Sequence, residues 1–343
     1  MSEASYILNH LMRPIRSVVD EGAVEVAVNR PHEVWVRVRG RWQRFEVRLP
    51  FEECRDLAQM VGSLFEQDVG AACPLVGAEL PDGSRAQAVV PPCVRDGTVS
   101  LTIRKHRPTV APVEDIPKRY DTSRWNKWQG RHARQSERDR RLLACYDRGD
   151  IVEFVRQVAR LRVNCVLCGV TGSGKTTAAN TLLSCADPEE RVVTIENAFE
   201  LLIGHPNAVR LLYSHGGQGA AQVSQSDLLQ ACLRMNPNRI VAGEIRDPLA
   251  AWSYLEGAGT GHGGNVTTIH GGSAQQGAQR LFDLARSSPA GAGATREMVA
   301  RMVEHAADVI IPFEENEGVY SIGEVWVRAD AERRGKSIFE LLF

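Results

Sequence analysis

The chain has no run of 18 uncharged apolar residues, so no membrane-spanning helix is expected. Its first residues lack a charged segment followed by an apolar stretch and a small-residue cleavage site, so no secretory leader is expected either. An excess of one charge is also missing. Lys and Arg number 41 against 42 Asp and Glu, a formal net charge of -1, which gives no bulk attraction to a polyanion. Aromatic residues are scarce, at 6%. They are scattered and offer no stacking track for single strands, so direct nucleic-acid binding is not expected. There is no internal repeat and no low-complexity tract. The eight cysteines have no paired spacing except Cys165 and Cys168. Those two fall in the apolar run 163–170, where a strand would turn positions three apart to opposite faces, so they neither bridge nor share a metal. Buried reduced thiols are expected, hence a reducing compartment, the cytosol.

What is present fits two domains within 343 residues. Leu8, Leu11, Ile15, Val18 and Val19 at helical spacing predict an opening helix over 5–19 that packs on the first domain. Alternating Val24, Val26 and Val28, a turn at Asn29, Arg30 and Pro31, then alternating Val34, Val36 and Val38 predict a hairpin. A third strand is expected over 42–49, a helix over 51–67, and further strands over 84–90 and 98–104. This makes residues 1–105 a small α+β domain. Between residues 104 and 141 stand 12 Lys and Arg against 5 Asp and Glu, and Pro108, Pro112 and Pro117 break regularity. Residues 106–141 therefore read as a basic interdomain linker leading into a polar helix. Its charge suits a solvated surface, anionic lipid heads or a neighbouring subunit's nucleotide.

From residue 142 to 343 strands and helices alternate. Apolar strands are expected over 163–169, 191–196, 239–245, 265–270 and 308–313, with helices between them. This predicts an α/β domain whose mostly parallel sheet is covered on both faces.

The chemistry gathers at the expected strand ends. Gly169, Val170, Thr171, Gly172, Ser173, Gly174, Lys175 and Thr176 spell G-x-x-x-x-G-K-[ST] between a strand and a helix, with Thr177 following. Such a loop turns backbone N–H groups toward phosphates, with the helix dipole behind them. Lys175 supplies a cation for the outer phosphates and Thr176 a hydroxyl for Mg²⁺. Glu244 closes the strand 239–245, and ligands in parallel α/β sheets bind beyond the carboxyl ends of strands. It is the candidate to orient and deprotonate an attacking water, directly or with Mg²⁺. Glu196 closes another strand and Glu200 follows it, and both are expected to join Glu244, Lys175 and His270 in the catalytic machinery. Gly259, Thr260, Gly261 and His262 precede a further strand, and Thr267, Thr268 and His270 close it, adding hydroxyls and imidazoles that sense a γ-phosphate. The expected metal ligands are Thr176, Glu200 and Glu244, partly through water.

Taken together, these segments resemble the secretion traffic ATPases, most closely the ring ATPases of bacterial type IV secretion and conjugation systems. The loop matches Walker A, 193–201 the acidic box, 233–246 the Walker B segment and 259–270 the histidine box. In the first half, 28–35, 80–85 and 100–105 resemble that family's N-terminal domain. The resemblance implies a RecA-type ATPase domain, ATP as substrate, and a homohexamer with nucleotide between the two domains. It also implies work with other secretion-system ATPases and inner-membrane components, in the cytoplasm and peripherally at the inner membrane. Arg85 and Arg104 are the candidate nucleotide-binding arginines of the first domain. Three departures stand out. Asn197 replaces the acidic box's second carboxylate, Asp247 and Pro248 follow Arg246, and Gly263 and Gly264 follow His262. Two other readings stay open. One is a type II secretion or type IV pilus assembly or retraction ATPase, although residues 244–343 hold no cysteine for the zinc insert of many assembly relatives. The other is an ATP-binding scaffold with little hydrolysis, favoured by Asn197 and opposed by Glu244.

Overall fold

The computed structural model describes residues 3–19, 22–105, 112–119, 136–214 and 221–343. The first half folds as expected, with two adjustments. The opening helix is split into Glu3–Leu11 and Arg13–Arg16, because Pro14 cannot donate to the preceding turn and starts the second helix instead. Strands β1 (Ala23–Val28), β2 (Glu33–Val38) and β3 (Arg41–Glu46) are followed by the helix Phe51–Ser63, then β4 (Leu75–Glu79), β5 (Arg85–Val89) and β6 (Ser100–Arg104). They form one antiparallel sheet in the order β3-β2-β1-β6-β5-β4. Strand β4 was not expected, because its short Leu-Val-Gly-Ala-Glu run shows no clear alternation. The two N-terminal helices and the helix Phe51–Ser63 close one core through Leu8, Ile15, Leu57 and Val61 against Val26, Val34 and Leu101.

Residues 106–111 and 120–135 of the expected linker lie outside the described residues. The boundary expected after residue 141 runs through the helix Glu137–Asp147. That helix is opened by a Ser136–Asp139 capping box, and its Leu142, Leu143 and Cys145 pack into the second domain.

The second sheet contains β7 (Cys165–Gly169), β8 (Val192–Glu196), β9 (Ala208–Leu212), β10 (Arg239–Ala242), β11 (Val266–Ile269), β12 (Val309–Asn316), β13 (Val319–Ile322) and β14 (Trp326–Val327). The order is β13-β12-β7-β11-β10-β8-β9, with β14 on β12. From β12 to β9 every pair is parallel, and only β13 and β14 run against β12. The central strands β7, β8, β10 and β11 are buried along their whole length, as strands covered by helices on both faces must be. Cys165 and Cys168 do face opposite ways, one into each of the two cores flanking the sheet, and both are free thiols. Parallel strands put all their carboxyl ends at one edge, and this is what assembles the site.

The two sheets share a core. Val89, Cys93 and Val94 of the first half belong to the same buried cluster as Val209, Leu211 and Leu228 of the second. The Leu212 N–H donates to the Cys93 carbonyl across the junction at 2.9 Å.

Candidate active site

Strand β7 delivers the chain to the phosphate loop at Gly169. A side chain there would collide with the Phe313 carbonyl and the Ser173 hydroxyl, so only glycine fits. The loop turns through Gly172 and Gly174, with φ of 84° and 89°, left-handed values that glycine adopts without strain. Gly174 also starts the helix Lys175–Ser184. It brings no capping side chain, and no acidic residue stands in the first turn. The first N–H groups and the positive end of the helix dipole are thus left for an anion.

Lys175 folds back on its own loop. Its Nζ donates to the carbonyls of Gly169 at 2.9 Å and Val170 at 2.7 Å. Partial burial pulls its pKa below the ordinary lysine value, and nearby Glu244 opposes that shift.

Glu244 follows β10 and is held by backbone contacts on three sides. The Gly243 N–H donates to the Ile195 carbonyl at 2.8 Å, the Thr268 hydroxyl donates to the Gly243 carbonyl at 2.7 Å, and Gln225 Nε2 donates to the Glu244 carbonyl at 2.8 Å. One carboxylate oxygen pairs with Arg246 at 2.5 Å, and this bond is the main cause that raises the Arg246 pKa. The other, Oε1, lies 2.9 Å from His270 Nε2 without the alignment of a hydrogen bond. It is a buried acceptor with no hydrogen-bond partner among the described residues. An acceptor left in that state is costly unless something else comes to it.

Glu196 has a different part. Its carboxylate is buried and accepts from the Thr194 hydroxyl, from the N–H groups of Glu200 and Leu201 at 2.9 Å each, and from the Arg210 guanidinium at 3.1 Å. With its lone pairs so engaged it positions the loop that carries Asn197 and Glu200, and it is a poor candidate for direct catalysis. Arg210 in turn lies over the Phe199 ring, 4.5 Å from its centroid.

Thr171, Gly172, Gly174, Lys175, Thr176, Thr177, Glu196, Glu200, Glu244 and His270 line one cavity of about 370 Å³. Gly169 and the buried Ser173 belong to the same loop but do not line the cavity. Thr268, one of the expected strand-end hydroxyls, lines it too; Arg246 and Asn197 also line it and were not given a site role, although Arg246 stands only two positions after Glu244. His262 is not brought there. It precedes β11, which is parallel to β7, so it stands at the opposite edge of the sheet from the phosphate loop. Its ring meets the Thr260 hydroxyl at 2.9 Å and its carbonyl accepts from Asn265. Burial, reinforced by Arg162, lowers its pKa. The expectation that all these polar segments surround the loop overlooked that 259–262 enter the strand and 267–270 leave it. Arg85 and Arg104 do not line the cavity either. They are register partners on β5 and β6 of the first sheet, with Arg104 3.8 Å from Glu25.

Residues 135–311 match the family model described as Type II/IV secretion system protein. The chain is 46% identical over 336 residues to the Protein VirB11 of Rhizobium radiobacter, covering 98% of each. It is 31% identical over 325 residues to the type IV secretion system protein VirB11 of Bartonella henselae, covering 92% of this chain and 91% of that protein. The crystal structure of the VirB11 ATPase of the Brucella suis type IV secretion system, in complex with sulphate, superposes with a TM-score of 0.87 at 31% identity, over 95% of this chain and 99% of that one.

Proposed function

This chain belongs to the VirB11 family of type IV secretion ATPases, and on that premise we propose that its cavity hydrolyses ATP to ADP and phosphate with Glu244 as general base. The observation that carries the proposal is Glu244 Oε1, a buried acceptor without a hydrogen bond among the described residues and 2.9 Å from the His270 ring, which shares one cavity with Lys175 and the first turn of its helix. Lys175 exchanges two neutral loop carbonyls for phosphate oxygens, a stronger, charge-assisted pairing. The Oε1 atom then accepts the proton of a water whose oxygen bonds to the γ-phosphorus as the bond to the β–γ bridging oxygen breaks. Arg246 orients the carboxylate, His270 stands beside its Oε1, and Glu196 fixes the loop that brings Glu200 to the cavity.

No group of three or more His, Cys, Asp and Glu able to hold a metal occurs among the described residues. The donors in the cavity therefore suit an ion that completes its shell with phosphate oxygens and water, as Mg²⁺ does. Thr176, with Glu200 and Glu244 through water, would hold it. When bound it neutralises phosphate charge.

We further propose a homohexamer. Arg85 and Arg104 face one another as like charges across β5 and β6, and Glu25, 3.8 Å from Arg104, offsets only part of that charge, so a further anion is favoured there. In a ring that anion is the nucleotide of a neighbouring copy. His262, at the far edge of its sheet, is not retained as a nucleotide contact. The full-length similarity to VirB11 proteins favours a type IV secretion or conjugation system over a pilus or type II assembly motor. Among the described residues no helix is long and apolar enough to cross a membrane. Contact with inner-membrane components from the cytoplasmic side, aided by the basic stretch near residues 104–141, completes the reading.

Phosphate release by the full chain, with mass in solution measured with and without ATP and Mg²⁺, tests it. Steady turnover that Glu244→Gln abolishes, and a ring mass in the presence of nucleotide, are expected. Turnover unaffected by Glu244→Gln removes the general-base assignment, and a monomer under all conditions removes the ring.

A further inference from the structure

The hairpin of β12 and β13 does nothing for the chemistry described so far, yet it overhangs the phosphate loop. Strand β12 pairs with β7 as far as Phe313 beside Gly169, then continues as Glu314, Glu315 and Asn316 beyond the sheet edge. Glu317 and Gly318, with φ of 50° and 82°, form the tight two-residue turn that suits a right-twisted hairpin. Strand β13 then returns with Tyr320 opposite Glu315 and Ile322 opposite Phe313. The alternation of a strand puts Tyr320 and Ile322 on one face. Tyr320 is 65% exposed and Ile322 44% exposed. The Tyr320 ring is the neighbour that Gly174 meets: its Cδ1 lies 3.8 Å from where a side chain at Gly174 would begin.

The sheet order gives this position a meaning. Glu244 follows β10, which lies on one side of β7 beyond β11, whereas β12 and β13 lie on the other side. A triphosphate whose outermost phosphorus faces Glu244 runs across the loop away from β10. Its ribose and base then emerge on the flank where the hairpin stands. We propose that Tyr320 is a base-binding residue, its ring stacking on the purine of the nucleotide while Gly174, lacking a side chain, lets base and ring approach the loop. A base presents a π-face to an aromatic ring whatever its sequence identity, and removing such a ring weakens binding by about 5- to 100-fold. The inference rests on the phosphate-loop reading of the cavity.

Titrating the full chain with ATP and, separately, with inorganic tripolyphosphate, both with Mg²⁺, tests it. For Tyr320→Ala we expect weaker ATP binding by about tenfold, tripolyphosphate binding equal to wild type, and a raised KM with kcat retained. For Tyr320→Phe we expect ATP binding close to wild type. ATP binding unchanged in Tyr320→Ala while tripolyphosphate still binds overturns the inference and leaves the phosphate loop standing. Equal weakening of both ligands overturns it too, because the ring would then act on the loop and not on the base. Loss of ring mass with unchanged nucleotide affinity assigns Tyr320 to a subunit contact instead. A wild-type chain that binds neither ligand removes the nucleotide reading, and this inference with it.

Discussion

The strands of the second sheet begin among Arg191, Arg239, Asn164 and Asn265 and end among Lys175, Glu196, Glu244 and His270. Both edges are polar, but they are bonded differently. At the starting edge Arg239 is fully buried and gives its donors to Glu190 at 2.9 Å, the Gly264 carbonyl at 2.7 Å and the Ala159 carbonyl at 2.8 Å. Arg191 is fully buried as well. It donates to Asn29 and Asn207 at 2.7 Å each, to the Met235 carbonyl at 3.0 Å and to Thr102 at 3.1 Å, with the Trp42 ring 5.4 Å away. Burial lowers its pKa to about 10, which leaves it charged at neutral pH. Through Asn29 and Thr102 it ties the first sheet to the second. At the finishing edge, by contrast, Lys175 leans on loop carbonyls and Glu244 Oε1 has only the unaligned His270 ring beside it. At the starting edge the two buried arginines are satisfied internally and hold the fold, while Asn207 Nδ2 and the His205 ring nitrogens beside them lack a hydrogen bond among the described residues. The finishing edge is satisfied only when something else arrives.

That contrast is open to direct test. The largest effect belongs to the finishing edge: Glu244→Gln is expected to lower phosphate release by about 10²- to 10⁴-fold with little change in thermal melting. A large loss of melting temperature would show that Glu244 serves the fold instead. Next, Arg239→Ala should cost about 3–5 kcal/mol in urea unfolding, because the buried Glu190 loses its hydrogen-bonded partner and keeps only Arg162 at 3.9 Å. Turnover per folded molecule should be retained, and a loss under about 1 kcal/mol would erase the distinction between the edges. Arg191→Lys keeps a charge but loses the planar fork shared among four acceptors, and about 1–3 kcal/mol is expected. Hydrogen exchange should quicken at β1 and β6 before it quickens at β7.

The smallest effect concerns pH. Burial holds the Glu25 carboxyl above its ordinary range, against the opposing pull of Arg37 and Arg104, beside Asn236 at the junction of the two sheets. A carboxyl raised in the folded chain contributes stability that is fully present below its unfolded value and is lost as pH rises through the folded one. The urea midpoint of Glu25→Gln should therefore gain on wild type as pH rises through the weakly acidic range. A constant gap would mean that Glu25 has the same affinity for protons in both states.

The sequence showed the finishing edge much more clearly than the starting one. A phosphate loop announces itself because glycines, lysine and threonine must occupy fixed offsets, and Glu244 stood out as a carboxylate ending an apolar strand. Strands β7, β8, β10, β11 and β12 were legible as buried runs between helices. Arg191 and Arg239 gave no signal, because an arginine at the start of a strand reads as solvated until the other strands and the first sheet close over it. His262 was misplaced for want of strand direction, which spacing alone does not encode. Tyr320 escaped notice because its setting depends on β12 lying beside β7, a neighbour distant in sequence. Glu196 looked like one more acid at a strand end, and only the folded chain shows Arg210 and two backbone N–H groups occupying it.

The apolar cluster that joins Val89, Cys93 and Val94 to the second domain puts part of the first domain's buried surface into the second domain's core. In the ring proposed above, a chain joined in this way would turn as a single block. Any movement that hydrolysis drives in that proposed ring would then be taken up at the seams between neighbours.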